Sequence, residues 1–191
     1  MLREKKRILD EFLVASAQAG DRKAFSQLAK RWHPALLRHA WRLIGDEDLA
    51  RDTLQDAWID IVRGLPGLLD VAAFPAWAYR IVTRKCANSI RKIQQVRKTK
   101  AAMLAEPAIH EDGEVIAENS ADMGVVSKVM ADLPAEQNAT MALYHLEGLG
   151  VAEISVALGV PVGTVKTRLM HARRKIRNAL NLNDTGGSNE Q

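Results

Sequence analysis

The chain has 191 residues, 47% of them hydrophobic, enough to bury one large core or two small ones. The formal net charge is only +4. Cys86 is the single cysteine, which excludes a disulfide framework and a thiolate metal centre and fits a reducing cytosol. The opening "MLREKKRILDEFLVASAQAG" lacks the apolar stretch of a signal peptide, and no run approaches the ~18 apolar residues of a membrane span.

The pattern is helical throughout, with punctuation at helical intervals and no β-branched alternation over strand length. A first helix runs to about Ala19 and stops at "AGD". Asp21 then N-caps a second, with Ala24, Phe25, Leu28, Trp32, Leu36 and Leu37 on one side. Pro34 lies inside it and predicts a kink or break near His33. After "IGDED" a third helix, about Glu47 to Arg63, places Leu49, Thr53, Ala57 and Ile61 at four-residue steps. An acidic cluster, Asp46 to Asp60, lies along it. "GLPGLLD" is a loop, and a long helix follows from about Phe74 to Lys98. From Arg80 to Lys100 there are many basic residues and no acid.

From Ala101 to Asp122 the periodicity collapses into acidic sequence with Pro107 and Gly113, a flexible linker between domains at 1–100 and 123–182. The second domain opens on a short helix carrying Val125, Val126, Val129 and Met130. "DLPAEQ" starts the next, with Pro134 suited to its first turn, Glu136 matched to the helix dipole and Gly148 as its stop. A short helix from Val151 to Leu158, a tight turn at Gly159 and Val160, and a last helix from Pro161 to Leu180 complete it. Residues 183–191 read as a disordered polar tail. The expected fold class is all-α: two small helical domains joined by a flexible linker.

A short helix, a glycine turn and a longer helix make the helix-turn-helix pattern. At ~100° per residue, Val165, Leu169, Ala172, Ile176 and Leu180 share one stripe, suited to pack on Ile154 and Leu158. The opposite stripe holds Gly163, Thr167, Met170, His171 and Arg174, flanked by Thr164, Lys166 and Arg168. Pro161 to Leu180 contains no acid. Such a helix suits a DNA major groove. Gly163 allows close approach to phosphate, Thr164 and free N–H groups bind phosphate oxygen, and Arg and Lys read guanine edges. The plainer reading is a basic helix closing a bundle; the short helix and glycine turn before it count against that. On the Phe74–Lys98 helix, Tyr79, Val82, Cys86, Ile90 and Ile93 form an apolar face. Arg80, Arg84, Asn88 and Arg91 form the other, with Trp77 beside them. Basic tracks with a stacking aromatic suit single-stranded nucleic acid. The plainer reading of Trp77 is a core aromatic, and of Cys86 a buried, inert thiol.

Three stretches then carry a resemblance. "GDRKAFSQLAKRWHPALLRHAWRLIGDEDLARDTLQDAWIDIV" resembles region 2 of the extracytoplasmic-function RNA polymerase sigma factors, and "FPAWAYRI" their next helix. "LPAEQNATMALYHLEGLGVAEISVALGVPVGTVKTRLMHARRKI" resembles their region 4. The strongest pieces are "DTLQDAW" and "GTVKTRL". The resemblance implies a sigma factor that binds core RNA polymerase and directs promoter-specific initiation. Asp52, Gln55, Asp56 and Ile59 would meet the β′ clamp helices. Gly64–Ala73 and the helix after it, through Trp77, Arg80, Arg84, Asn88 and Arg91, would hold and help melt the downstream promoter element. Region 4 would read the minus-35 duplex through Gly163, Thr164, Lys166, Thr167, Arg168, Met170, His171 and Arg174, with the β flap as its polymerase partner. The acidic linker would thread the polymerase's RNA-exit path, and an anti-sigma factor is a further implied partner. Arg84 and Asn88 stand where the family commonly carries Asn and Asp, and Gly150 where it has Ser or Thr.

Other classes fit less well. A metal site from His33, His39, Asp46 and Asp48, or from Asp52 and Asp56, matches no common ligand spacing. There is no phosphate loop or nucleophile motif, so neither a cofactor nor an enzymatic activity is expected. A response-regulator-type transcription factor would share the C-terminal pattern, but needs an N-terminal domain of alternating strands and helices. A helical adaptor without a DNA role would bind DNA weakly and without salt dependence. The expected location is the cytoplasm.

Overall fold

A computed structural model describes residues 2–104, 130 and 132–186. Among the described residues every regular element is helical. They are α1 (Leu2–Gln18), α2 (Arg22–Ile44), α3 (Glu47–Gly64), α4 (Phe74–Leu104), α5 (Ala135–His145), α6 (Val151–Leu158) and α7 (Val162–Gly186). Short 3-10 turns at Leu65–Gly67 and Val71–Ala73 join α3 to α4. The chain divides into two compact units, one built on α1–α4 and one holding α5, the start of α6, and α7. The linker beyond Leu104, the expected short helix before Met130, and residues 187–191 lie outside the described residues.

Local chemistry sets the helix ends of the first unit. Gly20 takes φ +94°, a conformation glycine adopts without a Cβ penalty, and so turns the chain out of α1. Asp21 caps α2 by accepting from the N–H of Lys23 at 2.8 Å and of Ala24 at 3.2 Å. Gly45, left-handed at φ +78°, closes α2 with its N–H on the Trp41 carbonyl. Asp46 caps α3 through the N–H of Leu49 at 2.8 Å.

The core of this unit is drawn from all four helices. Leu13 and Val14 come from α1, Leu28, Leu36 and Ala40 from α2, Leu54, Ala57 and Ile61 from α3, and Phe74, Tyr79, Val82 and Cys86 from α4. The Trp32 ring meets Phe74 edge-on at 5.5 Å and Tyr79 at 6.0 Å, fastening α2 to α4. Each fully buried side chain of this size contributes about 1.5–3 kcal/mol, and Ile61→Ala would cost about 2–5 kcal/mol by leaving a cavity. Phe25, Trp32 and Leu37, expected on the inner side, are only half-buried.

Pro34 does not break α2, so of the kink or break expected near His33 the break is corrected; the helix is continuous from Arg22 to Ile44. Pro34 is on the exposed side, while Leu28 before it and Leu36, His39 and Ala40 after it are all buried. Packing on both sides of the proline therefore offsets the one hydrogen bond it removes. Two helices also outrun their expected ends. Helix α4 continues past Lys98 through the helix formers of "TKAAML", and α7 continues past Leu180 to Gly186, so the first residues of the supposed tail are helical.

In the second unit, α7 packs against α5. Val165, Leu169 and Ala172 are buried, as are Ala139, Met141, Ala142 and Leu143 of α5. Pro134 sits just before α5, where its carbonyl accepts from Gln137 at 2.8 Å and Asn138 at 3.0 Å. Helix α6 opens on Gly150, whose N–H donates to Glu153 Oε2 at 2.6 Å. This is half of a capping box; the hydroxyl that would complete it is absent from glycine. Gly159, at φ +66°, ends α6, and the Ser155 hydroxyl donates to the Val160 carbonyl at 2.6 Å, tightening the turn into α7.

Candidate nucleic-acid and protein interfaces

Helix α7 separates its two stripes as its periodicity requires. Opposite the buried Val165, Leu169 and Ala172, the residues Gly163, Lys166, Thr167, Met170 and Arg174 are exposed. Thr164 and His171 are half-buried, and Ile176 is half-buried on the apolar side. The Thr167 hydroxyl donates back to the Gly163 carbonyl at 3.0 Å, which leaves its methyl and an oxygen lone pair to face outward. Arg174 approaches His171 Nδ1 at 3.5 Å. Arg168 is turned away from this stripe; its guanidinium pairs with Glu136 in the first turn of α5, and its side chain is only 18% exposed. Arg173 lies over the Tyr144 ring at 5.2 Å, a second tie between α7 and α5. The helix thus has a fixed back and an exposed basic front.

Helix α4 has a similar division. Tyr79, Val82 and Cys86 are buried, Ile90 and Ile93 half-buried, and Arg80, Arg84, Asn88 and Arg91 exposed. The Arg84 guanidinium reaches Asp60 of α3 at 3.3 Å, and Lys85 reaches the same carboxylate at 3.0 Å. The Lys85 hydrogen bond, with Arg84 beside it, holds the Asp60 carboxyl below the usual carboxylate range. Asp60 thereby neutralises part of the basic face where Arg84 stands. Trp77 is half-buried, its ring 6.1 Å from Phe74. A methyl on Gly64 would lie 2.9 Å from Trp77 Cζ2, so the indole rests on the glycine backbone at the end of α3. Trp77 thus packs on its own domain while part of its side chain remains accessible.

On α3, Asp52, Gln55, Asp56 and Ile59 are all exposed, at helical steps of three and four on one face. Beside them the structure adds a groove of about 730 Å³ that the sequence did not reveal. Phe25, His33 and Pro34 of α2 form one wall, and Trp58, Ile59 and Val62 of α3 the other. Trp58 meets Phe25 edge-on at 6.2 Å and donates to His33 Nδ1 at 3.3 Å, which fixes the floor. Ile59 and Val62, one turn apart, are 45% and 50% exposed on the groove wall. That pair on an otherwise polar face was the available sequence signal; the α2 wall carried none.

Two of the residues weighed for metal binding are otherwise engaged. His39 is fully buried, bonded through Nε2 to the Thr83 hydroxyl at 2.9 Å and edge-on to Tyr79 at 5.0 Å. Asp46 is a helix cap. Among the described residues no group of three or more His, Cys, Asp or Glu is placed to share an ion. The Cys86 thiol is buried, and burial pushes it up to about 12, so it is a packing residue.

Comparison with known proteins is decisive. Residues 28–96 match the model of sigma-70 region 2, and residues 124–176 that of sigma-70 region 4. The extracytoplasmic-function RNA polymerase sigma factor SigM of Mycobacterium tuberculosis strain H37Rv is 33% identical over 181 residues, covering 93% of this chain and 87% of the relative. The chain belongs to the extracytoplasmic-function sigma factors. The sigma-E factor of Escherichia coli K12 is 29% identical over 182 residues, with 90% of this chain and 94% of that protein covered. Two solved structures share the fold. CnrH, in complex with the cytosolic domain of CnrY, has a TM-score of 0.61 at 24% identity, covering 91% of this chain and 98% of that one. RpoE of Bartonella quintana, in complex with the anti-sigma factor NepR, has a TM-score of 0.63 at 22% identity, covering 83% and 98%. The two matched regions place most of this sigma factor's α2, with α3 and α4, in region 2, and α5–α7 in region 4. The region 2 match occupies the place of the receiver that a response-regulator reading needs, and that reading falls.

Proposed function

We propose that this sigma factor divides its work among three surfaces. Asp52, Gln55, Asp56 and Ile59, with the adjoining α2–α3 groove, dock on the clamp helices of the polymerase β′ subunit. The front of α7, through Gly163, Thr164, Lys166, Thr167, Met170, His171 and Arg174, reads the minus-35 duplex, with the β flap as the protein partner of region 4. Arg80, Asn88 and Arg91 of α4, with the accessible part of Trp77 and a weaker share from Arg84, hold the separated strand of the downstream element. What supports this division above all is the exposure pattern of α3. Acidic and apolar side chains share its face, which repels a phosphate backbone and suits a protein, while both basic faces lie on other helices.

An anti-sigma factor that occupies the polymerase-docking groove is the natural antagonist in this reading, and the cytoplasm is its compartment. No described helix is long and apolar enough to cross a membrane. The test is transcription in vitro with core polymerase, this protein and a randomised promoter library. Enrichment of a two-part motif is expected. Failure to bind core, or initiation at no sequence, overturns the reading.

A further inference from the structure

The loop between α3 and α4 is bare at its apex but held by hydrogen bonds on both sides. Its apex, Leu69, is fully exposed, whereas Leu65 at its start and Phe74 at its end are buried. On the far side, the Asp70 carboxylate accepts from the Ala72 N–H at 2.9 Å. On the near side, the clamp comes from a different element. Gln18, the last residue of α1, uses both hydrogens of its amide nitrogen, donating to the Leu65 carbonyl at 2.9 Å and the Leu68 carbonyl at 2.7 Å. The Leu65 carbonyl also accepts from the Leu68 N–H at 3.1 Å, so one carboxamide closes a ring around the first turn of the loop.

We infer that Gln18 is a positioning residue for promoter recognition: it presets the backbone of the Leu65–Ala73 loop and so sharpens the choice of base at the downstream element. The inference rests on the proposed role of that loop. A loop that captures an unpaired base discriminates only as well as its backbone is held. A base of the wrong shape gains what it lacks when the loop yields to it. Without Gln18 both carbonyls lose its donor, the first turn of the loop loses this hydrogen-bonded tie to α1, and the exposed apex moves with it. The α3 docking face and the front of α7 do not depend on Gln18.

The experiment compares wild-type protein with Gln18→Met, which keeps the length of the side chain and removes both donors. Each is combined with core polymerase, and initiation is measured on the best promoter and on every single-base change in its downstream and minus-35 elements. The expected result is a loss of discrimination, about tenfold, at one or two downstream positions, consistent with two hydrogen bonds. Preference at minus-35 and competition with wild type for core should be unchanged. Gln18→Glu, which keeps the shape but only accepts, should give the same profile, and it keeps the inference testable if the Met variant does not fold. An unchanged downstream profile, or one lowered by the same factor on every template, overturns the inference alone. Absence of initiation by the wild-type protein overturns the proposed function, and this inference with it.

Discussion

His39 shows how a single buried side chain makes stability depend on pH. Burial first, and the nearby Arg42 charge second, lower its folded-state value from 6.5 to about 3. The ring therefore stays neutral in the fold while the unfolded chain takes up a proton below about pH 6.5. The sign follows: above that pH His39 adds no pH dependence, and below it stability falls as the unfolded state binds more protons. We expect the unfolding free energy of the first unit to drop by about 1.4 kcal/mol per pH unit between about pH 6 and 4. All four tryptophans, Trp32, Trp41, Trp58 and Trp77, lie in this unit, so their fluorescence in urea titrations reports on it selectively. In His39→Gln the slope over that window should shrink toward zero; an unchanged slope would show that other groups set it.

At the scale of the element, α7 is a helix whose back is fastened and whose front is bare. Val165, Leu169 and Ala172 anchor it, and Arg168 and Arg173 tie it to α5 through Glu136 and Tyr144. Among the candidate reading residues, the cations Lys166 and Arg174 are exposed and available to meet phosphate or base edges. Lys166→Ala and Arg174→Ala in the full chain should each weaken binding to a minus-35 duplex. Each should also lower the slope of log affinity against log salt by about 0.9 if its contact is a phosphate. Arg168→Ala should weaken binding with the slope retained, because that charge is held by Glu136. Filter binding across a salt series distinguishes the three, and a slope loss only for Arg168 would reverse these assignments.

Across the whole molecule, the proposed protein-facing surface and the two proposed nucleic-acid-facing surfaces lie on separate helices, so the activities should be separable by mutation. Ile59→Asp puts a charge into the wall of the apolar groove without touching the core of region 2. It should lower affinity for core polymerase at least tenfold, in the range of an interface hot spot. Trp fluorescence unfolding and duplex binding by the full chain should remain as in wild type. Loss of all three together would mean that the groove is structural, and an unchanged affinity for core would place the docking surface elsewhere.

Much of this was legible in one dimension because helices are local objects. The cap at Asp21, the glycine stops, the apolar stripe of α7 and the exposed spacing of Asp52, Gln55, Asp56 and Ile59 depend on residues within a few positions of each other. Periodicity and composition therefore determined the all-α class, the two domains and both basic faces, and the two motif blocks in order pointed to the family. Tertiary structure alone decided what depends on distant partners. Pro34 is tolerated because the helix on both sides of it is held by packing. Arg168 belongs to Glu136, Arg84 is shared with Asp60, and Trp77 leans on Gly64. The groove needs two helices, and the Gln18 carboxamide finds its acceptors across 47 and 50 residues of chain. A side chain's neighbours along the helix are set by backbone geometry, but its neighbours across the fold are chosen by how the buried faces close on one another.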